Sequence, residues 1–160
     1  MKLTFKGKGV AEKYRKLARQ LPGVVNEALY DVAVDMRNDF EKTVATWKDK
    51  PSFEIIQMGR GYTVQTDDEK YLWVDQGTRA HAIEGAPLVF QANYVAKTQP
   101  RVIGSRPGGK SGPTVFVMGI VQHPGTEARE FSKTIHAKWQ KLIAPRVREA
   151  LRVGLEAVGL

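Results

Sequence analysis

Between Val25 and Trp47 the apolar residues Val25, Leu29, Val32, Met36, Phe40, Val44 and Trp47 recur at three- and four-residue steps. That period puts them on one stripe of a helix about six turns long. Glu27, Asp31, Asp35, Arg37 and Asp39 fall on its other faces. Such a stripe must be laid against something. After Lys48-Asp49-Lys50-Pro51 the period changes to two, the signature of strands. Phe53–Met58, Tyr62–Thr66 and Tyr71–Asp75 are short and rich in aromatic and β-branched residues. Gly59-Arg60-Gly61 and Asp67-Asp68-Glu69-Lys70 separate them, which predicts an antiparallel meander over residues 53–75. Thr114–Gln122 supplies a further strand over 114–122, apolar enough to be central in the sheet.

Helices are expected on both flanks. Val10–Gln20 is a short, strongly basic amphipathic candidate, and Pro22 is expected to interrupt it before the long helix begins, so that residues 1–48 are helical in two pieces. The last helix, over 126–160, is expected to start at Thr126, whose hydroxyl can cap free N–H groups while Glu127 and Glu130 complement the positive helix end. Its stripe is Phe131, Ile135, Trp139, Leu142, Ile143, Val147, Leu151 and Leu155, and Pro145 should kink or split it. At 42% hydrophobic residues the chain can bury one ordinary core, so residues 1–160 read as one domain. The expected class is α+β: a small antiparallel sheet packed against a long N-terminal and a C-terminal helix, with a long basic loop inserted.

With no cysteine there is no disulfide framework and no thiolate metal site. No apolar run approaches the ~20 residues of a spanning helix, and no secretory h-region is present. A soluble product made in the cytoplasm, without a membrane partner, is expected. The net charge is +8, unevenly spread: +6 over residues 1–23, −5 over 24–76, +4 over 77–126 and +3 over 127–160. Basic segments can face phosphates, and an acidic middle beside basic ends lets identical subunits meet with complementary potentials.

Thr78–Pro113 has little periodicity and is long for a connection inside a compact domain. Arg79, Lys97, Arg101, Arg106 and Lys110 are opposed there only by Glu84. Leu88-Val89-Phe90 can form a short strand, and the remainder reads as an arm over 78–113 that orders on assembly, mobile from about Lys97 to Gly112 in the free protein. Those five basic residues are the candidate contacts to a neighbouring subunit or to DNA. Inside the arm, Gly104-Ser105-Arg106-Pro107-Gly108-Gly109-Lys110-Ser111 satisfies the phosphate-loop string. The chemistry also needs a helix starting at the Lys-Ser. Gly112-Pro113 and a strand follow instead, so nucleotide binding is not expected. His81 and His123 can approach each other if their strands pair, but no metal-ligand or paired-carboxylate spacing accompanies them. No catalytic residue, metal or cofactor is expected. Trp47, Trp73 and Trp139 read as core or interface anchors.

Two motifs remain: Trp73-Val74-Asp75-Gln76-Gly77-Thr78-Arg79-Ala80-His81, and Val121-Gln122-His123-Pro124-Gly125-Thr126-Glu127-Ala128-Arg129-Glu130-Phe131. Each carries an apolar run into a Gly-Thr step, so Gly77, Thr78, His81, His123, Pro124, Gly125 and Thr126 read as architecture. In this order and separation, from about Trp47 to Phe131, the pair resembles the tail-completion or minor tail components of long-tailed bacteriophages. The resemblance implies a structural virion protein of the head–tail junction, a ring of identical copies made in the host bacterial cytoplasm. Its implied partners are other copies and neck, tail-tube or connector proteins, with DNA in the channel as a further candidate. The alternative is a nucleic-acid-binding protein or small nuclease using the basic arm and N-terminal helix.

Overall fold

The computed structural model of the chain describes residues 8–109 and 112–157, the first four as backbone only. The fold is α+β. In chain order it runs α1 (Lys8–Thr43), β1 (Glu54–Met58), β2 (Gly61–Gln65), α2 (Glu69–Gln76), β3 (His81–Gln91), β4 (Thr114–His123) and α3 (Phe131–Ala157). Two separate two-stranded antiparallel sheets form, β1–β2 and β3–β4, in place of the single sheet expected from the sequence.

α1 is one helix, 36 residues long, that continues through Pro22. The expected break does not occur. Pro22 sits on an exposed face, where the carbonyl its ring frees can turn to water, so the lost hydrogen bond bends a helix more readily than it ends one. α3 likewise runs unsplit through Pro145. The two helices are antiparallel. Asp39 meets Trp139 and Asp35 meets Arg146. Further along, Gly154 lies against Val24, where a Cβ would come within 3.5 Å of the valine methyls.

The expected strand Tyr71–Asp75 is instead the middle of α2. Asp68 caps this helix, its carboxylate accepting from the Tyr71 N–H at 2.8 Å, and Glu69 adds a favourable charge in the first turn. Helical spacing also buries Tyr71 and Asp75 together, as a strand would too. The cap therefore decides between the two, and the Asp67-Asp68-Glu69-Lys70 segment is a helix start rather than a hairpin turn.

α2, the first hairpin and the facing ends of α1 and α3 enclose the core. Val44, Phe53, Tyr71 and Phe131 are buried together, with Phe40, Trp47, Val64 and Val74 packed around them. Tyr71 is its centre: ring centroids lie 5.1 Å from Phe53 and 5.9 Å from Phe131. Burial drives its phenol pKa well above the ordinary tyrosine value, and the Asp75 charge adds to this. A second cluster, Val32, Ile135 and Trp139 with Met36, Phe40 and Ile103, lies between the long helices. Full burial of a side chain such as Phe131 or Ile135 contributes about 2–3 kcal/mol.

Asp39, placed by its spacing on an outer face of α1, is in fact buried, with 2% of its surface exposed. Its carboxylate accepts from Lys42 Nζ at 3.0 Å, from Trp139 Nε1 at 2.9 Å and from Lys138 Nζ. Burial opposes its charge, but the hydrogen bonds from Lys138, Lys42 and Trp139 outweigh that effect and hold its pKa below the ordinary aspartate value.

Candidate functional site

The two Gly-Thr steps close on each other. Thr78 N–H donates to Thr126 O at 3.0 Å, and Thr126 N–H returns to Thr78 O at 3.1 Å and to Thr78 Oγ1 at 3.0 Å. Each glycine is there because the other strand is so near. A Cβ on Gly77 would stand 2.6 Å from Thr126 O, and one on Gly125 would stand 2.3 Å from Thr78 O. Both also have positive φ, 76° and 90°, which glycine alone adopts at little cost. The motifs thus form a backbone clasp joining the end of α2, the base of the β3–β4 ribbon and the approach to α3.

Neighbouring residues of the same motifs extend the clasp. Arg129 N–H donates to Val74 O at 3.1 Å and Glu130 N–H to Asp75 O at 2.9 Å. α3 starts at Phe131, not Thr126. Its capping acceptor is Asp75, whose Oδ1 takes the Ser132 N–H at 3.1 Å from 57 residues away. Thr126 is used in the clasp and is not the cap. No local spacing signals a cap supplied from so far along the chain, which is why sequence reasoning missed Asp75.

His81 and His123 are directly opposite across β3 and β4, with ring centroids 5.0 Å apart. His81 Nδ1 donates to Arg79 O at 2.8 Å, whereas His123 Nδ1 accepts the Gly125 N–H at 3.0 Å. The two Nδ1 atoms therefore play opposite parts, a donor in His81 and an acceptor in His123, each set by a backbone group. His123 Nδ1 and Asp75 Oδ1 each accept a backbone N–H. Pro124 is exposed beside them. Among the described residues no group of three or more histidines and carboxylates is placed to hold a metal.

The basic candidates do not converge. Arg79 is exposed beside the clasp. Lys97 Nζ reaches back to Thr46 O at 2.8 Å, Arg101 Nε pairs with Glu130 at 2.6 Å, and Arg106 Nε donates to Ala96 O at 3.1 Å. Lys110 lies outside the described residues. The reading of residues 78–113 as one long arm needs correction in two ways. Residues 81–91 are a full strand, and residues 97–106 dock on the body. Ser105 Oγ donates to Lys42 O and accepts from Thr46 N–H, Ile103 packs between the long helices, and Arg101 N–H donates to Arg129 O. The phosphate-loop string begins inside this docked segment and leads to β4 rather than to a helix.

The β3–β4 ribbon is the part of the loop region that stands free. Its strands pair with each other but pack extensively on no helix and not on the first hairpin. Val89, Phe116, Met118 and Ile120 are 56%, 69%, 76% and 61% exposed. Trp73 also is exposed at the surface of α2, while Trp139 is buried and Trp47 packs on the core. No family model, curated protein or solved structure matches the chain. Among the described residues no helix is long and apolar enough to cross a membrane.

Proposed function

We propose that this chain is a structural component of the head–tail junction of a long-tailed bacteriophage, a tail-completion protein that works as a ring of identical copies. The observation that carries the proposal is the clasp. The residues on which the resemblance rests, Gly77, Thr78, Gly125 and Thr126, are engaged in backbone pairing, and the nearby His123 and Asp75 are engaged by backbone N–H groups. A motif used in this way shapes a subunit and supplies no chemistry. Segregated charge, basic at the ends and acidic in the middle, suits contacts between identical copies. The partners in this reading are other copies and the neck, connector and tail-tube proteins on either side, in the virion.

The test is genetic and structural. Phage particles lacking this chain should accumulate as filled heads and separate tails, and supplying it in trans should restore joined particles with a ring at the neck. Joined, infectious particles in its absence would overturn the proposal. The nucleic-acid-binding alternative draws on the exposed basic stretch of α1 from Lys13 to Arg19. It requires affinity that falls steeply with salt, which filter binding of the purified protein measures directly.

A further inference from the structure

The sequence of β4, Thr-Val-Phe-Val-Met-Gly-Ile-Val-Gln-His, does not alternate between apolar and polar residues. One face of a half-exposed ribbon should be polar. Here Val115, Val117 and Val121 line the half-buried face, and Phe116, Met118 and Ile120 line the open one. Val89, paired with Phe116, extends that open strip. Together these four side chains present on the order of 500 Å² of apolar surface, near the upper limit for a patch on a monomer. That is more than half of the roughly 800 Å² each partner contributes to a stable interface.

We propose that this strip is a self-association surface, packing face to face on the same strip of a second copy. Three observations favour that occupant. The spacing is self-complementary: a two-fold axis at Met118 sets Met118 against Met118 and Phe116 against Ile120 in both directions, as an isologous contact requires. The two strands carry one charged residue between them, Glu84, which pairs with Ile120 at the end of the strip away from Val89. The two-fold axis therefore keeps the two carboxylates at opposite ends of the contact, where they repel little. Finally, the ribbon has two open strand edges. A bilayer would bury their unpaired backbone groups at high cost, whereas a second ribbon stacked on the face covers the side chains and leaves the edges in water. This contact closes at two copies. It is distinct from the head-to-tail contact a ring needs, and it does not rest on the head–tail reading.

The chain has no cysteine, so the axis can be tested by single substitutions in the full chain. Sheets packed face to face stand about 10 Å apart, too far for a disulfide. Met118→Cys should therefore be joined into a covalent dimer by a short bis-maleimide, while Thr63→Cys on the first hairpin should not. Wild-type protein should show a concentration-dependent dimer in sedimentation equilibrium. Met118→Asp, which sets two carboxylates against each other, should weaken that dimer at least about a hundred-fold, with no drop in melting temperature at concentrations where the wild type is monomeric. A wild-type monomer at all concentrations, or a dimer indifferent to Met118→Asp, would overturn the proposal. So would wild-type binding to phosphatidylcholine vesicles that Met118→Asp abolishes, because the strip would then belong to lipid.

Discussion

Asp39 shows how a single side chain can hold two helices in register. It is buried, and its three donors come from both α1 and α3. Asp39→Asn removes the charge that those donors compensate and should lower stability by about 2–4 kcal/mol in denaturant titrations. The pH dependence follows from the depressed pKa of the folded state. The contribution is complete above the ordinary value of 3.8 and is lost as pH falls through the lower folded-state value. Wild-type stability should therefore drop on acidification below about pH 4, and Asp39→Asn should lack that component. At the clasp, Gly125→Ala combines a φ of 90° with a Cβ 2.3 Å from a carbonyl oxygen. It should cost about 2–4 kcal/mol, whereas alanine at Gly23, which meets nothing within 4 Å, should cost nothing and by helix propensity should slightly stabilise. Equal melting temperatures for the two variants would count against the clasp.

Among the elements, the two long helices and β4 were legible in the sequence, whereas α2 and most of β3 were not. Val32, Val44, Phe131, Ile135 and Trp139 are buried because a 3.6-residue period sustained over many turns leaves one way to bury a stripe. The β1–β2 hairpin was legible for a similar reason, since Gly59 and Arg60 fix its turn between alternating segments. α2 was misread because five residues are too few to separate periods of two and 3.6, and the decision fell to the Asp68 cap. Asp68→Ala should accordingly cost about 1 kcal/mol, measurable by thermal unfolding. β3 was expected only at Leu88-Val89-Phe90, because Gly85 and Pro87 break its pattern where the register with β4 shifts. The histidine juxtaposition was expected on the condition that the two strands pair, as β3 and β4 do. Docking of residues 97–106 rests on Ser105, Lys97 and Ile103, whose partners lie more than fifty residues away for the two polar contacts, beyond the reach of any local pattern. Limited proteolysis should therefore spare residues 97–106 in the folded protein, and Ile103→Ala should expose them to cleavage while costing about 1–3 kcal/mol.

For the whole molecule, the contacts that decide the fold join distant parts of the chain. Asp39 and Trp139 are 100 residues apart, Phe131 closes the aromatic cluster begun by Phe40 and Phe53, and the clasp joins positions 48 residues apart. The order of synthesis then matters. During translation α1 emerges before α3, and neither the cluster of Val32, Ile135 and Trp139 nor the one around Tyr71 is complete until α3 is made. A nascent chain must carry the apolar stripe of α1 incompletely covered from the end of that helix until α3 is made, for some seconds at about 5–20 residues per second. It becomes a folded subunit only once α3 has emerged, and any stop between α1 and Phe131 leaves a product with a bare amphipathic helix and the aggregation hazard that comes with it.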